Sequence, residues 1–173
     1  MTQGVPGHNL AHPADLAALA EPVRVVNPAA RLIDFFEHLT PASVERLGEF
    51  YTPNAWFKDP FNEVRGVAGI QHVFNHMFVA LDQPRFVVTD CLYQAGQAGQ
   101  GGQCFLTWNF EFHLKRFDRA ALQTIRGGSH LRFTADGLID FHRDYWDAAE
   151  ELYEKLPVLG GLMRWLKKRA NSS

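Results

Sequence analysis

Cysteine is nearly absent from the chain: Cys91 and Cys104 are the only two in 173 residues. Two thiols cannot make a disulfide framework, and no Cys-x-x-Cys pair is present. The two could face each other across a hairpin; in a reducing cytosol free buried thiols are the expectation. A surplus of one charge sign is lacking as well, since 17 Lys and Arg stand against 19 Asp and Glu. No basic field recruits nucleic acid, so no nucleic-acid partner is expected. No run approaches the roughly 18 apolar residues of a spanning helix. The N-terminus lacks the basic start and apolar stretch of a signal peptide, and the expected location is cytoplasmic.

Aromatic residues, by contrast, are plentiful: 14 Phe, 4 Trp and 4 Tyr. Rings bury large areas, so they favour either a wide core or a ring-lined pocket. The length suits one domain with a self-sufficient core. Residues 1–27 are rich in Ala, Pro, Gly and His without periodicity and read as a flexible arm. From Pro28 a helical pattern places Leu32, Phe35, Phe36 and Leu39 on one face. Thr40-Pro41 starts a second helix with Val44, Leu47 and Tyr51 as its stripe. Pro53-Asn54 reads as a turn before the short strand Ala55–Asp59. Gly66–Leu81 carries the strongest helical pattern, with Ile70, Val73, Phe74, Met77, Phe78 and Leu81 on a wide buried face.

Residues 85–146 read as strands. Phe86, Val88 and Leu92 share one parity. Residues 94–103 hold mainly Gly, Gln and Ala and form a hairpin loop. In the next strand Leu106, Trp108, Phe110 and Phe112 alternate with Thr107, Asn109, Glu111 and His113. Leu122–Phe133 follows, with Gly127-Gly128 as a bend or bulge. Thr134–Gly137 is a tight turn into the last strand, Leu138–Trp146. A helix with Asp147 as its cap then runs to Leu156, and 157–173 form a basic amphipathic tail helix. Helices followed by a run of strands predict an α+β domain over 28–156, its antiparallel-rich, strongly curved sheet wrapped around the helices as a cone. The tail could touch a membrane surface, although capping the cone or packing in a dimer is the expected role.

Three places carry candidate chemistry. The last strand alternates His142, Asp144 and Trp146 with Phe141, Arg143 and Tyr145, and parity alone leaves either set facing inward. Asp59 closes an aromatic strand before a proline; it is either a general base raised by apolar neighbours or a structural Asp-Pro turn. His72 and His76 stand four apart on one helix face, but no third ligand accompanies them, and no metal or cofactor is expected.

The ordered segments NAWFKDP (54–60), LTWNFEF (106–112) and HLRFTADGLIDFHRDYW (130–146) together resemble the nuclear transport factor 2-like superfamily, SnoaL-like branch. That fold is shared by ketosteroid isomerase, polyketide cyclases, scytalone dehydratase and limonene epoxide hydrolase. The resemblance implies that Asp59 matches the isomerase's proton-shuttling aspartate. It places Phe35 and Ser129 where the isomerase carries its oxyanion donors. Asp144, in RDYW, matches a catalytic aspartate of the hydrolase, whose further arginine and aspartate fall at Trp108 and Phe110. The same registration turns His142, Asp144 and Trp146 inward. It implies a pocket lined by Phe35, Trp56, Phe74, Phe78, Leu106, Trp108, Phe110, Ser129, Leu131 and Trp146, with Asp59, Asp144 and His142 as catalytic groups. The expected ligand is a small hydrophobic molecule, and the expected activity a cofactor-independent isomerase, cyclase or dehydratase. A non-catalytic binding or dimerisation module is the alternative, and an epoxide-hydrolase-like enzyme the third reading. A homodimer is the family-based expectation.

Overall fold

The computed structural model describes residues 27–97, 100–115, 120–151 and 169. The predicted N-terminal arm and the C-terminal amphipathic tail therefore lie outside the described residues, apart from Asn27 and Arg169. In chain order the elements are α1 (Pro28–Glu37), a 3-10 turn (Ser43–Glu49), β1 (Tyr51–Lys58), β2 (Glu63–Arg65), α2 (Val67–Ala80), β3 (Leu81–Gln94), β4 (Gln103–Leu114), β5 (Leu122–Phe133), β6 (Ile139–Tyr145) and α3 (Ala148–Glu151). One six-stranded sheet in the order β2-β1-β6-β5-β4-β3 curves over the helices. Only β1 and β6 pair in parallel; every other pairing is antiparallel. This is the expected α+β cone. No described helix is long and apolar enough to cross a membrane.

Local chemistry explains most boundaries. Asn27 caps α1 by accepting from the Ala29 amide, and Pro28 sits where its missing N–H costs nothing. Thr40 and Ser43 bond each other's amides through their hydroxyls, which starts the 3-10 turn. Gly66 precedes α2 at φ +79°, with the Pro53 carbonyl 3.0 Å from where a Cβ would stand, so only glycine fits there. The Thr134–Gly137 turn closes as expected, with Gly137 at φ +77° donating to Thr134 O. Asp147 Oδ1 accepts from the Glu150 amide and caps α3.

Four sequence expectations change. Pro53-Asn54 is not a turn but lies within β1, opposite a break in register between Tyr51 and Trp56 that spares the proline a ladder bond. Tyr51 does not end a helix; it opens β1 and is fully buried. A register shift between Val88 and Asp90 inverts the parity of β3, so Leu92 is exposed while Cys91 and Tyr93 turn toward the core. Gly127-Gly128 makes no bulge, since β4 and β5 pair without a shift. A Cβ on Gly127 would meet the Trp108 ring at 2.3 Å, and one on Gly128 the Phe105 ring at 2.8 Å. The two glycines are seats for aromatic side chains on opposite faces.

Leu32, Val44, Leu47, Phe57, Ile70, Leu131 and Ile139 are the floor of the core and almost wholly buried. Each is worth about 1.5–3 kcal/mol of burial. On α2 only Ile70 and Phe74 are fully buried, while Val73, Met77 and Phe78 are half-buried. The helix therefore closes one side of an incompletely filled interior. Both cysteines are free thiols, and burial together with its neighbour Cys91 pushes Cys104 up to about 12.

Candidate functional site

The site begins with the facing of β6. The register pairs Phe57 with His142 across β1 and Leu131 with His142 across β5. Phe57 and Leu131 are core residues, so His142 and Asp144 face inward with them. Three rings hold the imidazole: Phe57 and Phe36 edge-on, and Tyr51 nearly parallel at 8°.

A chain of hydrogen bonds runs through this buried face. Tyr51 Oη lies 2.6 Å from His142 Nδ1, and His142 Nε2 lies 2.8 Å from Asp144 Oδ1. Ser129 Oγ donates to the same Oδ1 at 2.5 Å, and Trp108 Nε1 donates to Ser129 Oγ at 2.8 Å. Donor and acceptor capacity fits one arrangement with a single ring proton on His142. Burial, reinforced by the Asp144 charge, holds the Tyr51 hydroxyl well above the usual tyrosine range, so Tyr51 keeps its proton and donates it to Nδ1. His142 then presents Nε2–H to Asp144. Every proton in the chain points toward Asp144 Oδ1. Its partner oxygen, Oδ2, receives no hydrogen bond among the described residues.

The glycine seat belongs to the same device. Gly127 pairs with Trp108 and Ser129 with Leu106. With no side chain at Gly127, the indole lies across β5 and reaches Ser129, two residues along on the same face.

Two neighbouring spaces adjoin the chain. A crevice of about 30 Å³, the room of roughly one water, touches Leu106, Trp108, Ser129, Leu131, His142 and Asp144. A chamber of about 300 Å³ opens outside it, at the lower end of ligand-sized pockets. Phe74, Phe86, Trp108 and Asp144 line both. The chamber wall also includes Phe57, Asp59, His76, Met77, Phe110, Phe112 and Trp146.

The structure thus brings together Asp59, Asp144, Phe74, Trp108, Phe110 and Trp146 around the chamber, with Leu106, Ser129, Leu131 and His142 at its inner end. Three expected lining residues lie elsewhere. Trp56 pairs with Phe141 on the opposite face of the sheet, packs its ring there at 4.8 Å and donates to Glu63. Phe35 is core, packed on Phe36 and Phe50, and its neighbour Phe36 takes the place at the crevice. Phe78 packs half-buried against the core, one helical position beyond Met77, which lines the chamber instead.

Asp59 reaches the chamber in a different state. Its Oδ1 accepts from the amides of Phe61 and Asn62 at 2.7 and 2.5 Å, and Asn62 Nδ2 bonds both carboxylate oxygens. It is the hub of an Asx turn over 59–62. Trp108 and Phe110 are the inward residues of β4, whereas Glu111 is tied to Arg85 across β3. The arginine and second aspartate of an epoxide-hydrolase site are therefore not supplied from this strand. Among the described residues no three His, Cys, Asp or Glu side chains gather as metal ligands.

Sequence reasoning missed Tyr51. It stands alone at the junction of two elements, and only the pairing of β1 with β6 carries it to His142, 91 positions away.

A family model for the SnoaL-like domain matches residues 32–142. Curated protein sequences give no match. Among solved structures, a hypothetical protein of ketosteroid isomerase-like fold from Catenulispora acidiphila, in complex with trimethylamine, is similar at TM-score 0.59 and 13% identity, over 73% of this chain and 90% of that one. SalBIII, an epoxide hydrolase/cyclase-like enzyme with a role in pyran ring formation in salinomycin, is similar at TM-score 0.55 and 20% identity, over 69% and 88%. A SnoaL-like polyketide cyclase homologue from Jannaschia sp. CCS1 is similar at TM-score 0.57 and 13% identity, over 72% and 88%. At these identities the structures establish a shared fold.

Proposed function

The chain belongs to the SnoaL-like domain family, and from that premise we propose that it binds a small, largely apolar molecule in the chamber and moves a proton with Asp144. The observation that carries this reading is the asymmetry of that carboxylate. Oδ1 is fixed by two donors while Oδ2 has no hydrogen bond among the described residues, and the residue lines an aromatic-rich space. A general base needs one oriented, available oxygen and a support that keeps it there. His142 and Tyr51 on one side, and Ser129 and Trp108 on the other, are that support. No step requires a cofactor.

The surroundings narrow the chemistry. Phe35 and Ser129 offer no oxyanion donor: the first is apolar, and the second already donates to Asp144. Trp108 Nε1 is spent on Ser129. Among the described lining residues, His76 at the exposed rim and the indole N–H of Trp146 are the side-chain donors not already bonded. With Trp108 and Ser129, the donors nearest Asp144, both spent, an electron pair released by removal of a C–H proton is best taken up within the substrate, by a leaving group or a ring-closing acceptor. This favours cyclase- or lyase-type chemistry over a dienolate held by the protein.

The test is exchange of acidic C–H protons of small cyclic ketones and lactones in deuterated buffer, followed by NMR, which needs no knowledge of the net reaction. Wild type is expected to exchange a bound member of the panel, and Asp144→Asn to exchange it about 10²-fold more slowly or worse. Equal rates in the two proteins would exclude Asp144 as the base.

A further inference from the structure

The electrostatics of the chamber define its occupant more narrowly than apolarity does. Asp144 and Asp59 both reach the wall, and among the described residues no lysine or arginine lines the chamber or the crevice. The one ionic contact recorded for Asp144 is with His142. Both ring nitrogens of that imidazole are already engaged, one with Tyr51 Oη and the other with Oδ1. Asp144 is mostly buried, its side chain 14% exposed, and a carboxylate withdrawn from water is costly without an opposite charge close by. Rings make up much of the remaining wall, among them Phe57, Phe74, Phe86, Phe110, Trp108 and Trp146, with aliphatic side chains such as Leu81 and Ile125 between them. Ring faces carry negative potential, and a cage of them beside a carboxylate is the arrangement that selects organic cations over neutral molecules of equal shape.

We infer that the ligand of this chamber is a small organic ammonium, seated among the aromatic rings with Asp144 as its counter-ion. The inference rests on the reading of the chamber as a ligand site and specifies the charge of what enters it. It also meets the need left by the missing oxyanion donors. A positive charge carried by the substrate acidifies neighbouring C–H bonds, and the pair of the broken C–H bond either stays on that carbon beside the charge or forms a new π bond as the nitrogen leaves as a neutral amine. Lining residues hold the cation through ring faces and one carboxylate, so the ligand's nitrogen is best fully alkylated, with no N–H left unpaired in an apolar wall.

The experiment compares phenyltrimethylammonium with tert-butylbenzene, which has the same shape without the charge, by titrating tryptophan fluorescence of the full chain. The cation is expected to bind about tenfold tighter or more, the range of desolvated cation–ring contacts. Asp144→Asn is expected to bring the two affinities within about threefold of each other. Phe86→Leu, which trims one ring from the wall, is expected to weaken the cation several-fold more than the hydrocarbon, and it decides the matter should Asp144→Asn not fold. Equal or tighter binding of tert-butylbenzene by the wild type overturns the ammonium assignment while leaving the chamber a ligand site. A preference that survives Asp144→Asn overturns Asp144 as counter-ion. Binding of neither compound overturns the chamber reading and this inference with it.

Discussion

Two carboxylates reach the same chamber, and they are held in opposite ways. Asp59 sits in an exposed turn of its own making, with both oxygens bonded by Phe61 and Asn62 only two and three residues away. Asp144 is held by residues from three other strands: His142 beside it on β6 and, through it, Tyr51 of β1, with Ser129 of β5 and, through it, Trp108 of β4. Among the described residues nothing bonds the other oxygen of that carboxylate. Local bonds make a turn, and bonds gathered from distant strands make an oriented group with capacity to spare. The teaching is one of accounting: a carboxylate's readiness for chemistry lies in the acceptor sites left over after its neighbours are served.

The sharpest way to break this comparison is to neutralise each acid in turn. Asp144→Asn is expected to slow C–H exchange by about 10²-fold or more, whereas Asp59→Asn should change it by less than about fivefold, because the turn leaves Asp59 no free oxygen. The reverse ranking in the NMR exchange assay would return the proton-transfer role to Asp59. Next in size, Gly127→Ala drives a methyl into the Trp108 ring. It is expected to cost about 1–3 kcal/mol in denaturant unfolding and to shift tryptophan emission as the indole leaves Ser129.

Tyr51→Phe leaves His142 Nδ1 without a donor in a buried site, for an expected loss of about 1–3 kcal/mol at neutral pH. The pH dependence gives a second handle. The folded value of Tyr51 lies above its unfolded value of about 10, so the folded chain keeps a proton the unfolded chain releases. Wild-type stability is therefore full below about pH 10 and falls as pH rises beyond it, and Tyr51→Phe lacks that part of the fall. The gap between the two proteins in urea melts should narrow steadily above about pH 10; Cys104, raised in both, cancels from the difference. A constant gap would show that the buried hydroxyl does not titrate with unfolding. Smallest of all, Asp59→Ala loses the Asx turn and is expected to cost about 1 kcal/mol, read in the same melts.

The architecture was legible because its signals are periodic. The spacing on α2, the alternation in β4 and the Thr134–Gly137 turn each repeat one message over many residues. The inward facing of His142 and Asp144 was open by parity and came from the family registration, which the β1–β6 and β5–β6 registers bear out. The errors fall where one residue changes the count. A single shift in β3 moved Leu92 outward, and a single break in β1 made room for Pro53 inside a strand. Trp56 was placed in the pocket as one aromatic in a cluster, yet strand alternation gives the inner face to Phe57. Gly127 looked like a defect in a strand because its purpose is a ring on another strand. Tyr51 has no local signature at all, since its partner is set by topology.

That partnership has a consequence for the order in which the molecule can be made. Tyr51 lies in the first strand and His142 in the last, and those two strands are neighbours in the sheet. During synthesis the first strand waits for nearly the whole domain before it meets the partner that completes its hydrogen bonds. Closing so long a loop must await the long-range contact that rewards it. The meander from β3 to β6 grows by nearest-neighbour hairpins, and only its final strand docks beside β1. A chain halted before His142 leaves the Tyr51 hydroxyl without that acceptor and Phe57 without the imidazole it packs against. Assembly of the carboxylate's support thus coincides with completion of the sheet, so a chain that has this support also has β1 and β6 joined.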